Sequence, residues 1–71
     1  MTIEECKEVL ETIIGAYPNF LMGRQPSVVL NSWYRQLKNS SYEDVISNVD
    51  NWIADNDYPP TINYIKPWEG H

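Results

Sequence analysis

Residues 56–65 read NDYPPTINYI, and the two prolines inside that stretch decide how the chain is organised. A helical apolar pattern runs up to Asp55 and stops there. Pro59 and Pro60 remove two backbone donors and fix φ, so a helix cannot pass through them. The pair makes a stiff, extended spacer that sends the chain back across whatever precedes it. Thr61 then offers an N-cap for a last short helix, in which Ile62 and Ile65 stand three apart on one face. Pro67 stops that helix. The segment reads as a latch, a rigid elbow followed by two isoleucines laid on an open side of the core.

Upstream of the latch the sequence spells three longer helices. Thr2 with Glu5 three places on is a capping box, in which each side chain accepts from an otherwise orphaned backbone N–H. Cys6, Val9, Leu10, Ile13, Ile14 and Tyr17 follow the 3.6-residue period as one apolar stripe. Glu4, Glu8 and Glu11 fall on the other side, and Tyr17-Pro18 ends the helix because the residue before a proline is pushed out of helical space. Asn19 to Gln25 is a loop in which Phe20, Leu21 and Met22 are expected to pack inward as a plug. Pro26 suits the first turn of a second helix, where its missing donor costs nothing. That helix runs to about Lys38, with Val29, Leu30, Trp33, Tyr34 and Leu37 on its inner arc. Ser41 and Asp44 resemble a shortened capping box for a third helix. Tyr42, Val45, Ile46, Val49, Trp52 and Ile53 point inward from it, and Asp44, Asn48, Asn51 and Asp55 outward. The expected fold is therefore all-α: a compact bundle of three helices plus a short C-terminal helix after the Pro-Pro elbow. Residues 1–67 are expected to form one helical domain and residues 68–71 a C-terminal tail.

A chain of 71 residues lies near the lower limit for independent folding. Its 42% hydrophobic and 13% aromatic content is too apolar for a disordered segment. Three Trp and five Tyr are expected to supply much of the core. The single cysteine, Cys6, can form no intramolecular disulfide, which points to a reducing cytosol. The acidic start Met1-Thr2-Ile3-Glu4-Glu5 is unlike a secretory signal, and no apolar run approaches the roughly 18–20 residues of a membrane span.

The net charge of −5 argues against direct nucleic-acid binding, which needs a basic face. The charge is also banded. Residues 4–11 hold four Glu and one Lys, residues 24–38 hold Arg24, Arg35 and Lys38 with no acid, and residues 43–57 hold five acids with no base. One reading places a basic helix between two acidic ones that neutralise it. The other has the acidic faces, Glu8 and Glu11 on the first helix and Asp44 and Asp55 on the third, meeting a basic partner.

Catalysis needs a convergent set of reactive groups, and the sequence does not supply one. The only histidine, His71, is the last residue. Cys6 lies on an apolar stripe among acids that would raise its pKa, so it reads as a small buried hydrophobe. One His and one Cys assemble no ordinary zinc site, and Gly15, Gly23 and Gly70 build no phosphate loop. The expectation is no enzyme, no metal, no cofactor and no small-molecule substrate. What remains is surface for a partner. Val28 and Arg35 fall away from the core arc of the second helix with Tyr34 at its edge, and Tyr58, Tyr64 and Trp68 surround the latch. Arg and aromatic residues dominate binding hot spots, although the same side chains also serve as half-buried core filler.

Read together, IIGAYPNF, VVLNSWYRQL, YEDV and YPPTINYI resemble the phage-encoded replicative-helicase loader/inhibitor proteins of Gram-positive bacterial viruses, in their folded N-terminal domain. The likeness covers about residues 2–66. It implies an all-helical protein without catalytic activity that works by protein–protein contact in the cytoplasm of the infected bacterial host. Loader members carry a further flexible segment that engages the helicase, and this sequence ends just past the latch. The expectation is thus an inhibitor that binds the bacterial helicase loader, an AAA+ ATPase, and blocks its self-assembly and activity. Two alternatives stand beside it: a loader or regulator that binds the replicative helicase itself, and an acidic DNA mimic. The third would need a continuous acidic face, which the basic second helix is expected to interrupt.

Overall fold

A computed structural model describes residues 1–21 and 23–67, so Met22 of the plug and the tail from Trp68 onward lie outside the described residues. The element order is α1 (Ile3–Ala16), α2 (Pro26–Leu37), α3 (Tyr42–Asp55) and α4 (Ile62–Ile65). This is the all-α bundle with a short last helix that the sequence implies. The capping box forms as expected. The Glu5 N–H donates to Thr2 Oγ1 at 3.1 Å and the Thr2 N–H donates to Glu5 Oε1 at 2.8 Å. Pro26 opens α2. Gly23 holds φ +76, a left-handed turn that suits glycine in the loop before it.

The other two expected caps do not form. Neither Ser41 nor Thr61 makes a side-chain capping bond. At Ser41 the reciprocal partner is an Asp, one methylene shorter than the Glu that closes a capping box. The first turn of α3 is served instead by Glu43 and Asp44, whose charges suit the positive end of the helix dipole.

Packing order corrects the charge reading. α1 packs on both α2 and α3, and α4 packs on α3. The acidic α1 is therefore the central helix, and the basic α2 does not separate it from the acidic α3. The N-terminal ammonium of Met1 sits against the end of α2, donating to the carbonyls of Lys38 at 2.8 Å and Ser40 at 3.0 Å. A positive charge there complements the negative end of that helix.

The core differs from expectation in kind. Its fully enclosed side chains are Cys6, Val9, Ile13, Leu37, Val45, Val49 and Ile65, with Phe20 and Tyr17 nearly so. Trp33, Trp52, Tyr34 and Tyr42 are only half-buried, packed against that aliphatic centre. The shortest principal extent of the molecule is 18 Å, under two helix diameters. A layer that thin encloses a valine or isoleucine but leaves an indole one open side. The Cα radius of gyration, 11.4 Å, is near the roughly 11 Å of a well-packed chain of this length.

The latch closes as the prolines require. Pro60 and Ile65 are buried while Pro59 is exposed. Phe20 of the plug meets Trp33 edge-on at 5.6 Å, and Tyr17 donates its hydroxyl proton to the Asn56 carbonyl at 2.8 Å. The second contact ties the end of α1 to the segment leaving α3, and the first ties the plug to α2.

Candidate functional site

Three segments converge on the indole of Trp52, in the last turn of α3. Tyr64 of α4 stacks on it with ring centroids 4.5 Å apart and planes 24° apart. Tyr58, from the elbow, meets it edge-on at 5.4 Å. The indole N–H donates to the Tyr58 carbonyl at 2.7 Å, which fixes the elbow to the ring. Tyr58 is 59% exposed and Tyr64 60%, so both residues offer much of their surface to solvent.

Beside this triplet lies a shallow recess of about 230 Å³, walled by Asn48, Asn51, Trp52, Asp55, Asn56 and Tyr64. Two of its amides are anchored. Asn48 Nδ2 donates to the Ile65 carbonyl at 3.0 Å, and Asn56 Nδ2 donates to the Trp52 carbonyl at 3.2 Å. A carbonyl can only accept, so the amide nitrogen must face it in each case. The helical wheel puts Asn48 on the outer face of α3; it is half-buried because α4 lies over its stretch of that helix.

A second hollow, about 270 Å³ and strongly apolar, runs between α1 and α2 past Leu10, Ile14, Leu21 and Leu30, with Lys7 and Glu11 in its walls. A third lies between the plug and the elbow, near Phe20, Arg24, Trp33 and Pro60. Sequence patterning anticipates neither, because each is bounded by elements far apart in the chain.

The structure brings some of the expected partner-binding residues together and separates others. Tyr58, Tyr64 and Asp55 share the neighbourhood of Trp52. Val28, 59% exposed, and Arg35 stand on the exposed side of α2, where Tyr34 is half-buried. Asp44 is exposed in the first turn of α3, about three turns from Asp55. Glu11 borders the apolar hollow. Glu8 faces the seam between α1 and α3: its carboxylate, as a hydrogen-bond acceptor, is the largest cause raising the Tyr42 phenol pKa, followed by burial and then the charges of Glu8, Glu5 and Asp50. Acids from both helices thus gather around Tyr42. Trp68 lies outside the described residues.

Two groups behave differently from their sequence environment. Burial, rather than neighbouring acids, raises the Cys6 thiol, while the Met1 ammonium pulls it the other way. Tyr17 is also raised, first by burial and then by Asp57 and Tyr58. Trp52, which the apolar period assigns to the interior, is instead the hub of the exposed aromatic group. Only the chain reversal at the elbow, which brings both Tyr58 and Tyr64 against one ring, gives it that place.

Among the described residues, no group of three or more His, Cys, Asp or Glu side chains is placed to hold a metal ion. No helix among them is long and apolar enough to cross a membrane. In comparison with known proteins, the family model for the N-terminal domain of a phage helicase loader inhibitor matches residues 1–66. No curated protein and no solved structure matches the chain.

Proposed function

The chain belongs to the family of that phage N-terminal domain, a family of helicase-loader-related proteins, and we propose that it inhibits host DNA replication by stoichiometric binding to the bacterial helicase loader. The loader is an AAA+ ATPase that works by assembling with its own copies. A small protein seated on the assembly surface stops both self-association and ATP turnover, and it needs no reactive groups of its own. In this reading the protein acts in the cytoplasm of the infected bacterium.

The family match over residues 1–66 carries the proposal. The surface supports it. Exposed Tyr58 and Tyr64 beside Asp55 make a compact patch of the composition that interfaces favour. A standard interface buries roughly 800 Å² per partner, which is a feasible share of the 4896 Å² this protein exposes. Basic side chains at AAA+ subunit contacts would complement an acidic binder.

One alternative gains from the structure. Because α1 and α3 are neighbours, their acids form a more continuous surface than the order of charges along the chain suggests, which favours a DNA-mimic reading. Mixing the purified protein separately with loader and with replicative helicase, then running each on a sizing column, tests the proposal. Co-elution with the loader alone, together with lost loader ATPase activity, is expected. Co-elution with the helicase alone would replace it with a loader or regulator of the helicase. Binding to neither would leave the DNA mimic, tested by competition against duplex DNA for a DNA-binding protein.

A further inference from the structure

The recess at the end of α3 is built for one kind of side chain. Its side-chain hydrogen bonds all run from N–H groups to backbone carbonyls: Asn48 to Ile65, Trp52 to Tyr58 and Asn56 to Trp52. The oxygens of the same amides and the Asp55 carboxylate make no hydrogen bond within the chain among the described residues, and no Lys or Arg lines the recess. The result is a pocket with several acceptors and one negative charge, flanked by the exposed rings of Tyr64 and Tyr58. We propose that it receives an arginine side chain of the protein partner, with the guanidinium lying against the Tyr64–Trp52 stack and pairing with Asp55. The inference rests on the proposed function only in taking the occupant to be part of a protein.

Guanidinium fits better than the other candidates. It is planar, stacks on aromatic faces and presents five donors, whereas an ammonium is a compact and strongly hydrated charge. Cation–π attraction adds to the ion pair with Asp55. A nucleobase could also stack here, but its phosphates would meet Asp55 and a chain of net charge −5. An apolar side chain would leave the Asp55 carboxylate and the amide oxygens without partners.

The test is an NMR titration of the intact protein with three capped tripeptides, Gly-Arg-Gly, Gly-Lys-Gly and Gly-citrulline-Gly, and with oligothymidylate. The reporters are the Trp52 indole N–H and the side-chain amides of Asn48, Asn51 and Asn56. The arginine peptide is expected to shift these signals saturably, with a dissociation constant on the order of millimolar for a single side chain. The lysine peptide should bind roughly threefold or more weakly, and the citrulline peptide and oligothymidylate should leave the signals unmoved. Asp55→Asn and Tyr64→Leu, both at exposed positions, should each weaken the arginine peptide roughly three- to fivefold with little change in melting temperature. Equal shifts from citrulline, no effect of Asp55→Asn, or shifts of the same signals by oligothymidylate would overturn the proposal. The titration contains neither loader nor helicase, so it is read independently of which of them the sizing column retains.

Discussion

α1 spans 14 residues and closes its own first turn with Thr2 and Glu5, whereas α4 spans four residues and makes no side-chain cap. A four-residue helix has no stability of its own in water, because nucleation fixes several residues for a single hydrogen bond. α4 therefore exists because α3 holds it: Ile65 is fully enclosed, Asn48 takes the Ile65 carbonyl and Trp52 stacks on Tyr64. The first helix is specified locally and then buried; the last is specified by burial alone. The difference also bears on function, since the aromatic recess occurs where a helix with no independent stability has been laid over a polar stripe.

The sharpest way to break this contrast is to truncate one buried isoleucine in each helix. Ile65→Ala and Ile13→Ala, both at fully enclosed positions, should each cost about 2–5 kcal/mol in urea denaturation. A loss under about 1 kcal/mol for Ile65→Ala alone would show that α4 is an appendage, with the core complete without it.

Asn48→Ala probes the latch without touching the core. It leaves the Ile65 carbonyl without its donor and should cost about 1–2 kcal/mol. Amide exchange in residues 61–66 should rise more than in α1, and a uniform rise across all helices would mean that α4 opens only with the whole molecule.

Thr2→Ala should cost about 1 kcal/mol by removing the capping bond to the Glu5 N–H. Because that effect is local, it should leave the Trp52 indole signal unchanged. A shifted indole would show the two ends to be coupled.

The smallest effect belongs to Tyr42 at alkaline pH. Its folded pKa is raised, so the native state holds the phenolic proton more tightly than the unfolded chain does. That contribution is fully present below the unfolded value of about 10 and is lost as pH rises through the folded one. Stability should therefore fall more steeply above about pH 10 in the wild type than in Tyr42→Phe. Parallel curves for the two proteins would remove Glu8 from the α1–α3 seam.

The helices are legible because their signals are short-range. Thr2-x-x-Glu5, Pro26 at the first turn of α2, the apolar stripe from Cys6 to Tyr17 and the Pro-Pro stop act within one or two turns, where side chain and backbone meet regardless of the rest of the fold. The caps at Ser41 and Thr61 are not, because composition at a helix start permits a bond without requiring one. The site is half legible. Tyr58, Tyr64 and Asp55 stand out as candidates, while Trp52 and Asn48 do not, since a helical wheel places a residue on a face but cannot say what covers that face.

By itself the sequence determined four helices, their order, the elbow and an acidic, cysteine-poor chain, because period, capping and proline chemistry are properties of neighbouring residues. Only the tertiary structure decided that α1 is central, that the core is aliphatic and that the aromatics stand around it. Those outcomes depend on which helices share a contact and on how thick a layer 71 residues can build. Packing of distant segments against one another sets both, and it brought Tyr58, Trp52 and Tyr64 together beside a single carboxylate.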